Sequence, residues 1–329
     1  MIQSKFSHHR RIRGRGQQQA FLIPILYPSF NYRGKLDLMA VPMGIMLRLG
    51  VHVSVAGGID QAVSRAREKG CDAFQIFSSN PRGWRSSPIT PPSAERFISS
   101  LHSSGLYPAV GHMPYLPNLA SSRDEVYAKS VQALTAELER CRMLGLAYLV
   151  AHLGSHLGAG RQFGLERIIA ALETALDDSR GQTVLLLENS SGTRNSMGSS
   201  FEDIAAILDA LSGEEQRLGV CLDTCHLHAA GYDLQSSQAL QSTLERFSGC
   251  IRMDRLRLIH LNDCRGVLGA HLDRHEHIGL GQIGEEGFRA ILTHPLLSRL
   301  PMILETPQDS RRDDGANLEA ARRLASGGE

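Results

Sequence analysis

From Leu47 onward, eight short apolar segments alternate with longer amphipathic ones, and that alternation limits the folds open to the chain. The apolar segments are Leu49–Ser54, Ala73–Phe77, Ala109–His112, Tyr148–His152, Val184–Glu188, Gly219–Asp223, Arg257–Leu261 and Met302–Glu305. Each is near-continuously apolar, as a strand buried on both faces must be. Between them, stretches such as Asp124–Leu144, Glu166–Asp177, Phe201–Leu211 and Glu285–Leu292, with a last one at Asn317–Ala325, repeat their apolar residues at helical spacing. Neighbouring parallel strands need a crossover, and a helix follows each strand here. The pattern predicts an α/β fold, a single (β/α)8 TIM barrel. With 329 residues and 42% hydrophobic content, the chain can fill one such core.

The ends of these segments carry a second regularity. Segment three ends on His112, four on His152, five on Glu188, six on Asp223 with His226 three residues later, seven on His260 and eight on Glu305. In the loop after segment seven, Asp273 and His275 form a D-x-H step. Residues two apart in an extended chain point the same way, so this pair can close on one ion while His260 faces another. In a barrel, strand C-termini share one mouth where active sites lie, so these nine side chains are expected to converge there. Histidines scattered for structural reasons would not keep that phase.

All nine are His, Asp or Glu, a set suited to Zn²⁺ or another first-row ion held for catalysis, since closed structural sites favour thiolates. Nine ligands exceed the needs of two ions and fit three that share a bridging carboxylate. Three divalent ions outweigh the four carboxylates, so the loaded site would attract phosphate. Clustered ions of this kind favour in-line phosphodiester hydrolysis. Net charge offers less support. Residues 1–49 hold eight Lys or Arg against the single acid Asp37, which leaves the rest of the chain at −6 in an overall +1. A strongly basic DNA-binding surface is therefore not expected outside the metal site.

The strings HVSVAGG (52–58), FSSNPRGW (77–84), GHMPYLPNLA (111–120), AHLGSHLG (151–158), LLENSSG (186–192), GVCLDTCHLHAAGYD (219–233), HLND (260–263), DRHEHIGLGQIG (273–284) and ILETP (303–307) resemble those of the endonuclease IV family of apurinic/apyrimidinic endonucleases. The resemblance spans residues 47–310 and implies three zinc ions per chain. It would place His112 and His152 on the first, with Glu188 bridging to the second, and Asp223, His260 and Glu305 on the second. His226, Asp273 and His275 would hold the third, and Glu188 and Glu305 would be the catalytic carboxylates. It further implies cleavage of double-stranded DNA 5′ to an abasic site, leaving a 3′-hydroxyl and a 5′-deoxyribose phosphate, and trimming of blocked 3′ ends. Arg82, Tyr115 and Leu116 match the side chains that enter the kinked duplex. A nucleotide without a base has lost stacking and pairing, so flipping it out is cheap. Met113 stands beside His112 where some members have Asp, and Gly83 shortens the DNA-facing set.

Competing readings are a metal-dependent sugar isomerase or epimerase on the same barrel type, which would need fewer ligands, and a non-catalytic binder of damaged DNA. Residues 1–42 match nothing. HHRRIRGRGQQQ is basic and FLIPILYPSF is a short apolar run broken by prolines, too short to span a membrane. They are expected to be a disordered extension before a start at Met43 or Met46, although an Arg-rich, acid-poor start also resembles a transit peptide. The barrel domain is set at 43–326 and a tail at 327–329. Six scattered cysteines, Cys221 and Cys225 among them, suit reduced buried thiols in a cytoplasmic monomer. His52 is expected to be a hydrogen-bond partner, His156 and His277 to support the ligands or contact phosphate, and His228 and His271 to be solvated. Trp84 reads equally as core or DNA loop, Gly57–Gly58 as a tight turn, and Arg10–Arg15 as a solvated tail.

Overall fold

The computed structural model describes residues 47–179 and 181–327. The expected extension over 1–42 and its basic run, both proposed start sites and the last two residues of the tail lie outside them. Alternation of strand and helix begins with β1 (Arg48–His52), α1 (Gln61–Glu68), β2 (Ala73–Phe77), α2 (Pro91–Ser104), β3 (Ala109–His112) and α3 (Asp124–Leu144). It continues through β4 (Tyr148–His152), α4 (Arg161–Asp178), β5 (Val184–Glu188), α5 (Phe201–Ala210) and β6 (Leu218–Asp223). After β6 come the short α6 (Thr224–Ala229), then α7 (Ser237–Cys250) and β7 (Leu256–His260). A two-stranded excursion, β8 (Asp263–Cys264) and β9 (His275–Glu276), precedes α8 (Gly284–Thr293), β10 (Pro301–Leu304) and α9 (Asp314–Ala325).

Eight of these strands close into a parallel barrel in the order β1-β10-β7-β6-β5-β4-β3-β2, while β8 and β9 pair antiparallel outside it. The predicted (β/α)8 barrel is thus the observed fold. Two apolar cores result from the alternation along the strands. One contains Ala73, Val110, Tyr148, Val150, Leu186, Cys221, Leu258 and Ile303, which fill the barrel from seven of its strands. The larger one packs outward-facing residues such as Phe74, Leu149, Leu187 and Met302 against helices that contribute Phe97, Leu134, Ile168, Ile204, Phe247 and Phe288. Fully burying a side chain of this size stabilises by about 1.5–3 kcal/mol.

Local chemistry fixes where the helices begin and end. Pro91 opens α2 after Thr90, a place where a missing N–H costs nothing. Gly145, at φ 65°, ends α3 in the left-handed region that glycine enters without a Cβ clash. Ser200, Ser236 and Asp313 cap α5, α7 and α9 by accepting from Asp203 N–H, Ala239 N–H and Ala316 N–H. Gly57 and Gly58 both have positive φ, and Gly58 N–H donates to Val55 O, so the pair forms the expected tight turn. Among the described residues no helix is long and apolar enough to cross a membrane.

Candidate metal centre

On every contributing strand the last barrel-filling residue lies two positions before a polar one, and two residues is the repeat of a strand's inward face. Val110 leads to His112, Val150 to His152, Leu186 to Glu188, Cys221 to Asp223, Leu258 to His260 and Ile303 to Glu305. The layer above the apolar core is therefore a ring of donors at the strand C-termini. Glu188, Asp223 and His260 are fully buried, and His112 and His226 nearly so. Glu305 lies one residue beyond β10, which ends at Leu304, one residue earlier than the expected Met302–Glu305.

Two further pieces of backbone complete the ring. Asp223 ends β6 and caps α6, its carboxylate accepting from His226 N–H at 2.8 Å, which fixes His226 beside it. The excursion after β7 returns through β9, bringing His275 Nε2 to 3.6 Å from Asp273 and 3.7 Å from Asp223.

Among the described residues five overlapping groups have donor atoms close enough to share an ion, His112 with His260 and Glu305 and Asp223 with Cys225 and His275 among them, and the other three together contain all nine predicted ligands. These three are His112, His152 and Glu188; then Glu188, Asp223, His260 and Glu305; then His226, Asp273 and His275. Donors about 2.0–2.1 Å from one tetrahedral ion stand roughly 3.3–3.4 Å apart. Glu188 lies 3.3 Å from both His112 Nε2 and His152 Nδ1, His226 Nε2 3.3 Å from Asp273, and His260 Nδ1 3.4 Å from Glu305. Such separations are long for direct hydrogen bonds and right for donors that face a common cation.

Ring orientation supports the same fit. His112, His226 and His275 direct Nδ1–H to the carbonyls of Met113, Asn189 and Glu305 at 2.7, 3.0 and 2.9 Å. Their Nε2 lone pairs are then left facing the centre, and buried His275 Nε2 has no hydrogen-bond partner among the described residues. Met113 deprives the site of nothing, because its backbone carbonyl orients His112. His260 is turned the other way, with Nε2 on Gln75 Oε1 at 2.9 Å and Nδ1 inward.

Electrostatics follow from crowding these groups around a centre whose innermost members, Glu188, Asp223 and His260, are fully buried. Burial works to raise the Glu188 carboxyl, but His152, His260 and His112 outweigh it and hold it well below the usual carboxylate range. Burial also opposes charge on His226, yet Asp223, Asp273 and Glu188 raise it to about 10. Carboxylates that attract protons this strongly onto neighbouring imidazoles would attract a divalent cation in their place.

Gln75 is the site residue that the sequence reading passed over. It occupies the inward position of β2, two after Ala73, and is fully buried. Its Nε2 donates to Glu305 at 2.7 Å and lies 3.1 Å from His52 Nδ1, while its Oε1 receives His260. A lone amide in AFQIF was the available signal. His52 takes the matching place on β1 and is the expected hydrogen-bond partner.

Around the mouth, Arg82 and Trp84 are exposed on the loop after β2, and Tyr115 and Leu116 on the loop after β3. Tyr115 N–H donates to Pro81 O at 3.2 Å, tying the loops together, and its ring meets Phe77 edge-on at 5.1 Å. Trp84 is thus not a core residue. His156 accepts from Gly158 and Gly160 N–H within its own loop, and buried His277 lies between Asp309 and Asn317. His271 is exposed as expected, but His228 is fully buried, because α6 is covered on all sides. Cys221 and Cys225 are both buried thiols, and Cys225 alone of the two falls in a group of possible ligands, with Asp223 and His275.

The chain is similar in sequence to known nucleases, and in fold to sugar epimerases. The sequence profile of the xylose isomerase-like TIM barrel family matches residues 63–326. A probable endonuclease 4 of Methanoculleus marisnigri is 52% identical over 281 residues, 85% of this chain and 99% of that protein. The crystal structure of endonuclease IV from Thermus thermophilus superposes with a TM-score of 0.76 at 37% identity, covering 85% of this chain and 99% of that one. A D-tagatose 3-epimerase-like protein, with a TM-score of 0.62 at 19% identity over 85% of this chain and 98% of its own, shares the fold alone.

Proposed function

This chain belongs to the endonuclease IV family and is a nuclease; on that premise we propose that it repairs DNA at abasic sites. It cleaves the phosphodiester on the 5′ side of an abasic site in double-stranded DNA, leaving a 3′-hydroxyl and a 5′-deoxyribose phosphate. It also trims blocked 3′ ends. The observation that carries this reading is the convergence of nine His, Asp and Glu side chains in three ion-sized groups at one barrel mouth.

The cofactor is three zinc ions per chain. His112, His152 and Glu188 hold the first, Glu188, Asp223, His260 and Glu305 the second, and His226, Asp273 and His275 the third. Bound there, the ions would supply Lewis acidity, giving a nucleophile at neutral pH and positive charge against the phosphate and the departing oxygen.

The chain's own groups do the rest. Glu188, between two groups, is the bridging carboxylate, and its depressed pKa keeps it ionised at neutral pH. Carbonyl acceptors lock His112, His226 and His275 as Nδ1–H tautomers, so no reorientation is needed when substrate arrives. Gln75 aligns Glu305, the second catalytic carboxylate, with His260. Arg82, Tyr115 and Leu116 enter the kinked duplex and fill the gap left by the flipped sugar, so selection rests on how readily the lesion deforms. We place the protein in the cytoplasm as a monomer.

The test is metal content per chain, with nicking of a duplex carrying one abasic-site analogue assayed on the same sample. About three zinc ions and a single 5′ cut are expected. One or two ions with no nicking would overturn the reading in favour of a sugar isomerase or epimerase.

A further inference from the structure

Away from the nine ligands, a second polar cluster lies where α3 meets the loop after β2. Glu137 and Arg140, one turn apart on α3, are both largely withdrawn from solvent, with side chains 5% and 12% exposed. Ser78 Oγ donates to Glu137 Oε2 at 2.5 Å, and Ser79 Oγ donates to the other carboxylate oxygen. Arg140 Nε donates to Ser78 Oγ at 2.8 Å, one terminal nitrogen donates to Ser78 O, and the other reaches Ser87 O at 2.8 Å. A single guanidinium therefore holds two carbonyls nine residues apart, at the two ends of the segment that exposes Arg82 and Trp84. Within that segment Asn80 Oδ1 accepts from Arg82 N–H, and Pro81 O accepts from Tyr115 N–H.

We propose that Glu137 and Arg140 are positioning residues for lesion recognition, a clamp on α3 that fixes the loop Ser78–Ser87 by both ends and so holds Arg82 over the mouth. This rests on the reading of Arg82 as a DNA-facing residue. A buried ion pair contributes little net stability, because desolvation offsets attraction, and its use lies in geometry. The planar fork of Arg140 reaches the two carbonyls from two separate nitrogens, a fixed spread that the single nitrogen of a lysine does not offer. Without the second attachment the loop regains conformational freedom that binding must remove.

The test compares wild type with Arg140→Lys and Glu137→Ala in three measurements on the zinc-loaded protein. These are nicking kinetics on a duplex with one tetrahydrofuran abasic analogue, hydrolysis of bis(p-nitrophenyl) phosphate, and bound metal. Expected is a KM for the duplex raised roughly tenfold, with kcat, small-diester hydrolysis and metal content within about twofold of wild type. Glu137→Gln, which can still bond both serines, is expected to restore most of the loss. An unchanged duplex KM in Arg140→Lys, while the wild type nicks, overturns the clamp alone. A parallel fall in small-diester hydrolysis and metal content also overturns it, since the pair would then only hold the fold. A wild type that cleaves the small diester but never the abasic duplex overturns the repair reading itself.

Discussion

At the scale of single residues, the site depends on groups that orient ligands as much as on ligands. Gln75, itself fully buried, satisfies His260 Nε2 and Glu305 Oε1 at once. Gln75→Leu keeps the volume but leaves both atoms without that partner, so metal affinity is expected to fall by about 10–100-fold with the fold retained. Titration of the metal-free variant against a chromophoric chelator would measure it, and wild-type affinity would remove Gln75 from the site. The nine ligands were legible because each ends an apolar run or stands in a short His-Asp-rich loop. Gln75 was not, because it sits inside a strand where one amide among apolar residues also reads as a tolerated polar group. Met113 shows the converse: its side chain suggested a missing hydrogen bond, which its own backbone carbonyl supplies.

Elements were legible to different degrees. Helix α3 runs from Asp124 to Leu144 as its periodicity predicts, because Gly145 ends it sharply. Strand β1 was expected at Leu49–Ser54 and forms at Arg48–His52, since its pairing with β2 ends at His52–Gln75 and the following turn begins. Gly50 in that strand faces Ala73 so closely that a Cβ would lie 1.8 Å from Ala73 O. Gly50→Ala must push two barrel strands apart, and a loss of about 3 kcal/mol or more is expected. Urea unfolding would report it as a lower midpoint at unchanged slope, and an unchanged midpoint would show that the barrel can shear locally. The short α6 illustrates a dependence no periodicity reveals, since Asp223 both caps it and contributes to the centre.

Over the whole molecule, closure of the barrel concentrates ionisable groups that a bound cation would stabilise. Four carboxylates and five imidazoles share one mouth, with Glu188, Asp223 and His260 cut off from water. Loading with zinc is expected to stabilise the native state, by about 2.7 kcal/mol per site at a hundredfold excess over Kd. Chelation should therefore lower Tm by several degrees, and added zinc should restore it in differential scanning calorimetry. A Tm indifferent to both would mean the cluster does not hold ions. By itself the sequence determined the (β/α)8 architecture and the ligand types, because apolar runs, helical periodicity and polar strand ends are local properties of the chain. Only the tertiary structure brought these donors within a few ångströms of one another, turned particular imidazole nitrogens inward, and set Gln75 against His260 and Glu305. Those depend on distances between residues far apart in the chain, which exist only once eight strands close in register.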